Sequence, residues 1–146
     1  MNKILTIINI IAVIAVVLFI IQPIRTAPPT PNVTVGEVAI PTSEGSYCWE
    51  GFISGQCVDK EYSSVVAMAD EYQPTTVSQN EKIKVTFDKK PKTLEVERWM
   101  GEEEVEIVEI KDDFLGVPKE KGVYVYHIIS NWKQGDGSYV FSVEVK

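Results

Sequence analysis

Two cysteines, one histidine and a run of acidic residues are the parts of this 146-residue chain that could do chemistry. Cys48 and Cys57 enclose eight residues, so they do not form the C-x-x-C pattern of thioredoxin-type redox centres. Together with the distant His127 they supply three soft ligands, whereas a structural zinc site needs four. Thiols at such a spacing oxidise together outside the cytoplasm. We therefore predict a structural disulfide, with a redox-labile bond as the remote alternative.

The loop between the cysteines carries three large apolar residues, Trp49, Phe52 and Ile53, beside two glycines. Closing a ring of about ten residues stabilises a fold by ~2–3 kcal/mol in the chain-entropy model. The large side chains either complete the core from one end or stand exposed as a partner-binding loop. Both orientations stay open, and the three residues are the candidate partner contacts.

A catalytic triad would have to use His127, because the chain has no other histidine. Strand alternation turns His127 away from the face of Tyr124 and Tyr126, and Ser130 lies too near along the same strand to face it. We therefore predict a structural role for His127, no catalytic residue and no enzymatic activity.

Five glutamates cluster near the middle of the chain: Glu102, Glu103, Glu104, Glu106 and Glu109. Carboxylates suit calcium, but the D-x-D-x-D-G spacing is absent and neighbouring strand residues point to opposite faces. We predict a solvated hairpin that resists edge-to-edge pairing, and neither a metal nor another cofactor. Asp136, in "GDG", is predicted to be a turn residue.

The N-terminus is an apolar run from Ile4 to Ile21, whose 18 residues make ~27 Å of helix, enough to cross a bilayer core. The run is longer than a signal-peptide core, and Arg25 occupies a position where cleavage needs a small residue. We predict that residues 1–21 are an uncleaved signal anchor of a single-pass cell-membrane protein, with residues 26–146 on the extracytoplasmic side.

Residues 22–32, "QPIRTAPPTPN", contain four prolines and predict a semi-rigid polyproline linker. The remainder, residues 26–146, carries 12 Lys and Arg against 21 Asp and Glu. This negative charge argues against binding to nucleic acid or to anionic lipid.

Apolar residues alternate with a period of two from residue 33 onward, which is typical of strands. The predicted strands are residues 32–41, 82–87, 93–99, 104–110 with a bulge, 122–132 and 138–145. One helix is predicted within residues 59–72, with Ser63 as its N-cap.

These elements predict a mainly β fold, an Ig-like antiparallel β-sandwich over residues 33–146 with one short helical insertion, preceded by the single transmembrane helix. Tyr124 occupies the place of the tyrosine corner of such folds. The Cys, Trp and Cys spacing of true immunoglobulin domains is absent, so the prediction concerns the architecture alone.

Four segments, "PTSEGSYCW", "CVD", "KIKVTFDKKPK" and "GVYVYHIISNWKQGDGSYVFSVEV", carry a more particular similarity. Over nearly all of residues 40–146 the chain resembles a functionally uncharacterised group of small membrane-anchored proteins of Gram-positive (Bacillus-type) bacteria. The resemblance implies an extracytoplasmic Ig-like domain and supplies no catalytic residue.

We therefore expect a non-catalytic interaction or structural module, attached to the membrane by its anchor and binding an extracytoplasmic protein or an envelope polymer. The alternative is a protease-inhibitor-like or sensor accessory domain that presents a loop on a β-sandwich.

Overall fold

A computed structural model describes residues 2–21 and 26–146 of the chain. The first range is one helix, α1, from Asn2 to Ile21. The second range holds a short helix, α2, from Val65 to Ala69, and twelve strands. The strands are β1 Pro31–Val35, β2 Val38–Ala39, β3 Ser43–Glu44, β4 Tyr47–Glu50, β5 Gly55–Val58, β6 Thr75–Val77, β7 Lys82–Phe87, β8 Thr93–Met100, β9 Glu104–Ile107, β10 Phe114–Gly116, β11 Gly122–Trp132 and β12 Gly135–Val145.

Within the described residues these strands form two sheets. The smaller sheet has the order β10-β7-β1-β2, and the larger has the order β5-β4-β12-β11-β8-β9. The inward side chains of both sheets form one apolar core that includes Val33, Ile83, Leu115, Tyr126 and Phe141. The predicted mainly β, sandwich-like fold with one short helical insertion after an apolar helix is confirmed.

The hairpin of β11 and β12 is the centre of the larger sheet. The two strands pair antiparallel over eleven residues each, from Gly122 opposite Val145 to Trp132 opposite Gly135. The rings of Tyr126 and Phe141 stack on the core side with their centroids 4.9 Å apart. Aromatic residues at alternate positions predict this hairpin, and the structure confirms it.

The second edge of β12 is covered by three short strands. β3 and β4 pair with it antiparallel, and β6 pairs with it in parallel. Strand β4 joins at the start of β12, where Trp49 lies opposite Gly135. This pairing places the β4–β5 hairpin, which carries both cysteines, beside the β11–β12 turn.

Tyr124 forms the predicted tyrosine corner. Its hydroxyl donates a 2.9 Å hydrogen bond to the carbonyl oxygen of Glu120, four residues upstream, and its ring is buried. The bond satisfies a phenol in the core and fixes the entry of the chain into β11.

Helix α2 is shorter than predicted, and its N-cap is Ser64 and not Ser63. The Ser64 hydroxyl accepts a 3.0 Å hydrogen bond from the backbone N–H of Ala67. The segment before the helix is attached to a different part of the chain, since the backbone N–H of Lys60 donates a hydrogen bond to the hydroxyl of Ser46. The helix packs Met68 and Ala69 against Val125 and Val140 on the outer face of the larger sheet.

Two predicted strands differ from the structure. Residues 32–41 are not one strand, because Gly36 adopts a φ of +55° and turns the chain between β1 and β2. Strand β9 ends at Ile107, where the predicted strand continued to residue 110. The backbone N–H of Val108 instead donates to the carbonyl of Val96, and Val108 turns toward the core.

The N-terminal helix α1 is long and apolar enough to cross a membrane. Residues 22–25 of the predicted linker lie outside the described residues. In the rest of it, Pro28 and Pro29 are buried, and the hydroxyl of Tyr139 donates a 2.7 Å hydrogen bond to the Pro29 carbonyl. Residues 26–29 therefore contact the sandwich and residues 31–32 belong to β1, where the sequence predicted a semi-rigid linker over residues 22–32.

Candidate functional site

The Cys48–Cys57 disulfide closes the β4–β5 hairpin, as predicted. The two cysteines are direct cross-strand partners with Cα atoms 4.0 Å apart, and both are exposed. Residues that lie directly opposite each other in an antiparallel pair point to the same face. The bridge therefore lies on the outer face of the larger sheet and locks the two strands together.

Trp49 and Phe52 take opposite orientations, so the loop uses both of the arrangements that the sequence left open. Trp49 is 3% exposed and contacts the ring of Trp132 edge-on, with centroids 5.7 Å apart. Phe52 and Ile53 are 81% and 80% exposed. Trp49 is therefore a core residue, whereas Phe52 and Ile53 remain candidate contacts.

Phe52 and Ile53 form the hairpin tip, which we define as residues 51–54. The backbone N–H of Gly51 donates to the carbonyl oxygen of Ser54 at 3.0 Å and closes the turn. Because the tip lies beyond the last paired residues of β4 and β5, the core-facing alternation of the strands no longer applies to it. This explains why two large apolar side chains point outward.

Asp136 is a strand residue and not the predicted turn residue. The turn consists of Lys133 and Gln134, and Asp136 lies opposite Asn131 in β12. Its carboxylate accepts a 2.9 Å hydrogen bond from the backbone N–H of Cys48. A second bond, from the backbone N–H of Glu50 to the Gln134 carbonyl at 2.7 Å, lies beside it. The disulfide hairpin is thus tied to the β11–β12 hairpin at two points.

Two adjoining depressions of about 510 and 550 Å³ flank the disulfide, and we call them together the disulfide groove. They share Cys48, Cys57, Asn131 and Asp136. The other lining residues are Trp49, Glu50, Gly55, Gln56, Trp132, Lys133, Gln134 and Gly135 on one side, and Ser46, Tyr47, Val58, Asp59, Ile129, Gly137 and Ser138 on the other. The rim carries three carboxylates and one lysine, so its net charge is negative.

The chain that leaves α1 meets the hairpin at Gln56, which lines one of the two depressions of the groove. Gln56 lies opposite Trp49, so it shares the inward face of the hairpin, and its amide donates a 2.8 Å hydrogen bond to the carbonyl of Thr26. Alternate residues of a strand point to opposite faces. The outer face around Cys48 and Cys57 is therefore not covered by Thr26.

His127 lies on the outer face of the larger sheet, half-buried, as its strand alternation predicts. Its Nδ1 lies 3.0 Å from the Glu97 carboxylate and its Nε2 lies 2.8 Å from the hydroxyl of Ser138. The indole N–H of Trp99 donates to the same Glu97 oxygen at 3.1 Å. Ser130, by contrast, is buried on the other face and donates to the carbonyl of Gly137.

The sequence alone does not identify Ser138 and Glu97 as partners of His127, because they lie on β12 and β8, the strands to either side of β11. The contact of Ser138 with His127 could have been predicted from the two-residue turn, because the turn length sets the register of β11 against β12. In that register Ser138 lies diagonally next to His127. Glu97 lies directly opposite His127 on β8. Alternation along one strand shows on which face of the sheet a side chain lies. It does not show which side chains of the adjacent strands lie beside it.

A serine, a histidine and a carboxylate connected in this order are the components of a nucleophilic triad. The hydroxyl of Ser138 is packed against buried Gly45, where a Cβ would lie 2.9 Å from the Ser138 Oγ and 3.2 Å from the sulfur of Met68. This packing covers one side of the hydroxyl, while Ser138 also belongs to the lining of the disulfide groove. We interpret the three side chains as a polar link across β8, β11 and β12.

Four of the five glutamates lie on the surface of the β8–β9 hairpin and its turn, and Glu109 is exposed beyond the end of β9. Glu106 pairs with Arg98 across the two strands at 2.6 Å, and Glu102 accepts a hydrogen bond from the hydroxyl of Ser64. Among residues 2–21 and 26–146, no three His, Cys, Asp or Glu side chains are grouped closely enough to hold a metal ion.

The chain was compared with known proteins at the levels of family, sequence and structure. No family model matches it, and no curated protein or solved structure is significantly similar to it. The resemblance to membrane-anchored proteins of Gram-positive bacteria therefore stays a prediction.

Proposed function

We propose that this protein is a membrane-anchored, extracytoplasmic, non-catalytic binding module that takes an extended segment of another protein into the disulfide groove. Helix α1, with 20 residues, has a length of ~30 Å, which matches the hydrocarbon core of a bilayer. A disulfide in the following domain is compatible with an oxidising compartment. Both features support an anchor with the domain outside the cytoplasm.

The observation that carries this proposal is the preformed groove on the outer face of the larger sheet. The Cys48–Cys57 bridge, the Asp136 hydrogen bond and the Glu50 backbone bond all fix its walls. A surface that is already rigid loses little conformational entropy when a partner binds. A covalent staple at an exposed groove therefore favours a binding role.

The charge of the groove indicates the chemistry of the partner. Glu50, Asp59 and Asp136 line it, against Lys133 as the one cation of its lining. The domain as a whole carries an excess of carboxylates. Complementary charge steers association and selects partners, so we expect a segment that bears lysine or arginine side chains.

A photoreactive amino acid at Asn131, in the full chain in intact cells, tests this function. We expect one cross-linked extracytoplasmic protein, and we expect Glu50→Lys to reduce its yield about tenfold, since reversing a charge at an interface replaces attraction by repulsion. Glu37→Lys is the matched control, because Glu37 is an exposed glutamate at the β1–β2 turn of the other sheet.

Equal yields from the Glu50→Lys and Glu37→Lys chains would contradict an electrostatic groove. A cross-linked product that contains carbohydrate and no foreign peptide would replace the protein partner by an envelope polymer. Retention of residues 26–146 in the cytoplasm, measured by protease accessibility, would overturn the extracytoplasmic location.

The exposure of Phe52 and Ile53 favours a second candidate, a protease inhibitor that presents the hairpin tip. The position of the tip opposes it, because the ring of Phe52 lies against Phe19 of α1, with centroids 6.0 Å apart. A tip beside a membrane helix is hindered from entering a protease cleft. Inhibition of a panel of secreted proteases by the vesicle-bound chain would support this candidate over the first.

A further inference from the structure

The hairpin tip is the most exposed apolar feature of the globular domain. Phe52 and Ile53, at 81% and 80%, exceed the next large apolar residue outside α1, Ile107, which is 70% exposed. The tip itself, Gly51 to Ser54, contains no charged residue. Adjacent exposed apolar side chains without charges are typical of contact with a partner or a membrane.

The tip lies at the C-terminal end of the apolar helix. The ring of Phe52 contacts Phe19 edge-on, with an angle of 81° between the planes. Phe19 is two residues from the end of α1, which is ~3 Å along the helix axis. The apolar surface of α1 therefore continues onto the hairpin tip.

A second contact attaches the same hairpin to the chain that follows the helix. The Gln56 amide donates to the carbonyl of Thr26, five residues beyond the end of α1. The hairpin thus contacts the chain before and after residues 22–25. Both contacts place the tip at the level where α1 would leave the hydrocarbon core.

From this arrangement we infer that Phe52 and Ile53 insert into the interfacial layer of the bilayer, as a second and shallow attachment of the domain. The inference rests on the proposed anchoring by α1 and adds the orientation of the domain to it. Aromatic and aliphatic side chains at this depth bind the interface through their apolar area. The contact does not depend on anionic lipid, because the tip is uncharged and the domain is acidic.

The disulfide suits the hairpin to this role. Because Cys48 and Cys57 are joined across the two strands, the tip is presented in one conformation and loses little entropy on insertion. Insertion of the tip also leaves the second depression of the disulfide groove, around Ser46 and Asp59, accessible, since Gln56, which contacts Thr26, does not line it. The domain would then stand on the membrane with this depression open to solvent.

Fluorescence quenching by brominated lipid tests the inference with the full chain in phosphatidylcholine vesicles. A Phe52→Trp chain is compared in lipid brominated near the headgroup end of the acyl chains and in unmodified lipid. The native tryptophans all lie in the domain, and none is in α1. We expect the added tryptophan to emit at shorter wavelength and to lose roughly half of its emission to the bromines, as an interfacial side chain does.

Ile107→Trp is the matched control, because Ile107 is an exposed apolar residue on β9, at the opposite edge of the larger sheet. We expect no quenching there. Equal quenching at 52 and 107, in a chain that still floats with the vesicles, would overturn the insertion of the tip and leave the anchor in place. A chain that does not float with vesicles would overturn the anchor and the insertion together.

Discussion

The carboxylate of Asp136 accepts a hydrogen bond from the backbone N–H of Cys48, at 2.9 Å and across 88 residues of sequence. It connects the start of β12 to the middle of β4, where the ladder between these strands consists of one residue pair. A side chain thus replaces the main-chain bonds that a longer strand would provide. The disulfide hairpin is therefore attached to β12 by the Asp136–Cys48 bond and by the single pair of Trp49 and Gly135.

Asp136→Ala should lower the free energy of unfolding by about 1.5–3 kcal/mol, the typical worth of a hydrogen bond to a charged group. Asp136→Asn should lower it less, because the amide oxygen still accepts from the Cys48 N–H. Urea denaturation of the full chain in micelles, followed by tryptophan fluorescence, measures both. Equal losses for Ala and Asn would show that the charge, and not the hydrogen bond, supports the site.

Gly135→Ala should be more damaging than the loss of any one hydrogen bond. Gly135 has a φ of +155°, and a Cβ there would overlap the carbonyl oxygen of Cys48. Backbone strain and this overlap together predict a loss of about 3 kcal/mol or more. Gly116→Ala is the control, since a Cβ at Gly116 meets no atom within 4 Å and should cost less than about 1 kcal/mol. Similar unfolding midpoints for the two variants would contradict the close approach of β4 and β12.

Local sequence patterns predict the parts of this fold that local forces determine. Strand β7 has the predicted bounds, Lys82 to Phe87, because clean alternation ends at a turn. The aromatic β11–β12 hairpin and the disulfide are predicted for similar reasons. In each case the determining residues are close in sequence.

Contacts between distant segments are what the sequence does not predict. The parallel pairing of β6 with β12 and the Asp136–Cys48 bond join segments that no periodicity relates. The opposite orientations of Trp49 and Phe52 depend on where β4 ends, which is set by its pairing with β5. Alternation assigns a side chain to a face, whereas tertiary pairing decides what covers that face.

Reduction of the disulfide should destabilise the domain without abolishing its fold. Removing a cross-link that closes about ten residues costs ~2–3 kcal/mol in the chain-entropy model. We expect this difference in urea denaturation with and without reductant, and also for the Cys48→Ala/Cys57→Ala chain. The double variant should show no further change with reductant. A midpoint that does not depend on reductant in the native chain would mean that the Asp136 and Glu50 bonds hold the hairpin without the bridge.

Tyr139 should make the domain sensitive to high pH. Its side chain is inaccessible to solvent, and burial raises the pKa of its phenol above the ordinary value near 10. Burial raises the pKa of Tyr126 as well. The stability that these neutral phenols provide is complete below about pH 10 and is lost as the pH rises toward the folded pKa, since the unfolded chain ionises first.

The expected slope above about pH 10 is a loss of ~1.4 kcal/mol per pH unit for each such tyrosine. Tyr139→Phe should reduce this slope, although it also removes the hydrogen bond to Pro29 and lowers stability at neutral pH. Denaturation curves recorded between about pH 8 and pH 11, on either side of the ordinary tyrosine pKa, measure how the free energy of unfolding changes with pH. Equal slopes for the Tyr139→Phe chain and the native chain would contradict a contribution from Tyr139.

The link from Glu97 through His127 to Ser138 should stabilise the sheet without reacting as a triad. His127→Ala should cost about 1–3 kcal/mol, because it leaves two half-buried polar partners without their shared bond. We expect that a fluorophosphonate does not label the full chain, since Ser138 is half-buried and is packed against Gly45 on one side. A serine hydrolase in the same mixture is the positive control for the reagent. Peptide mass spectrometry that found a phosphonylated Ser138, lost on His127→Ala, would make this link catalytic and overturn the non-catalytic function.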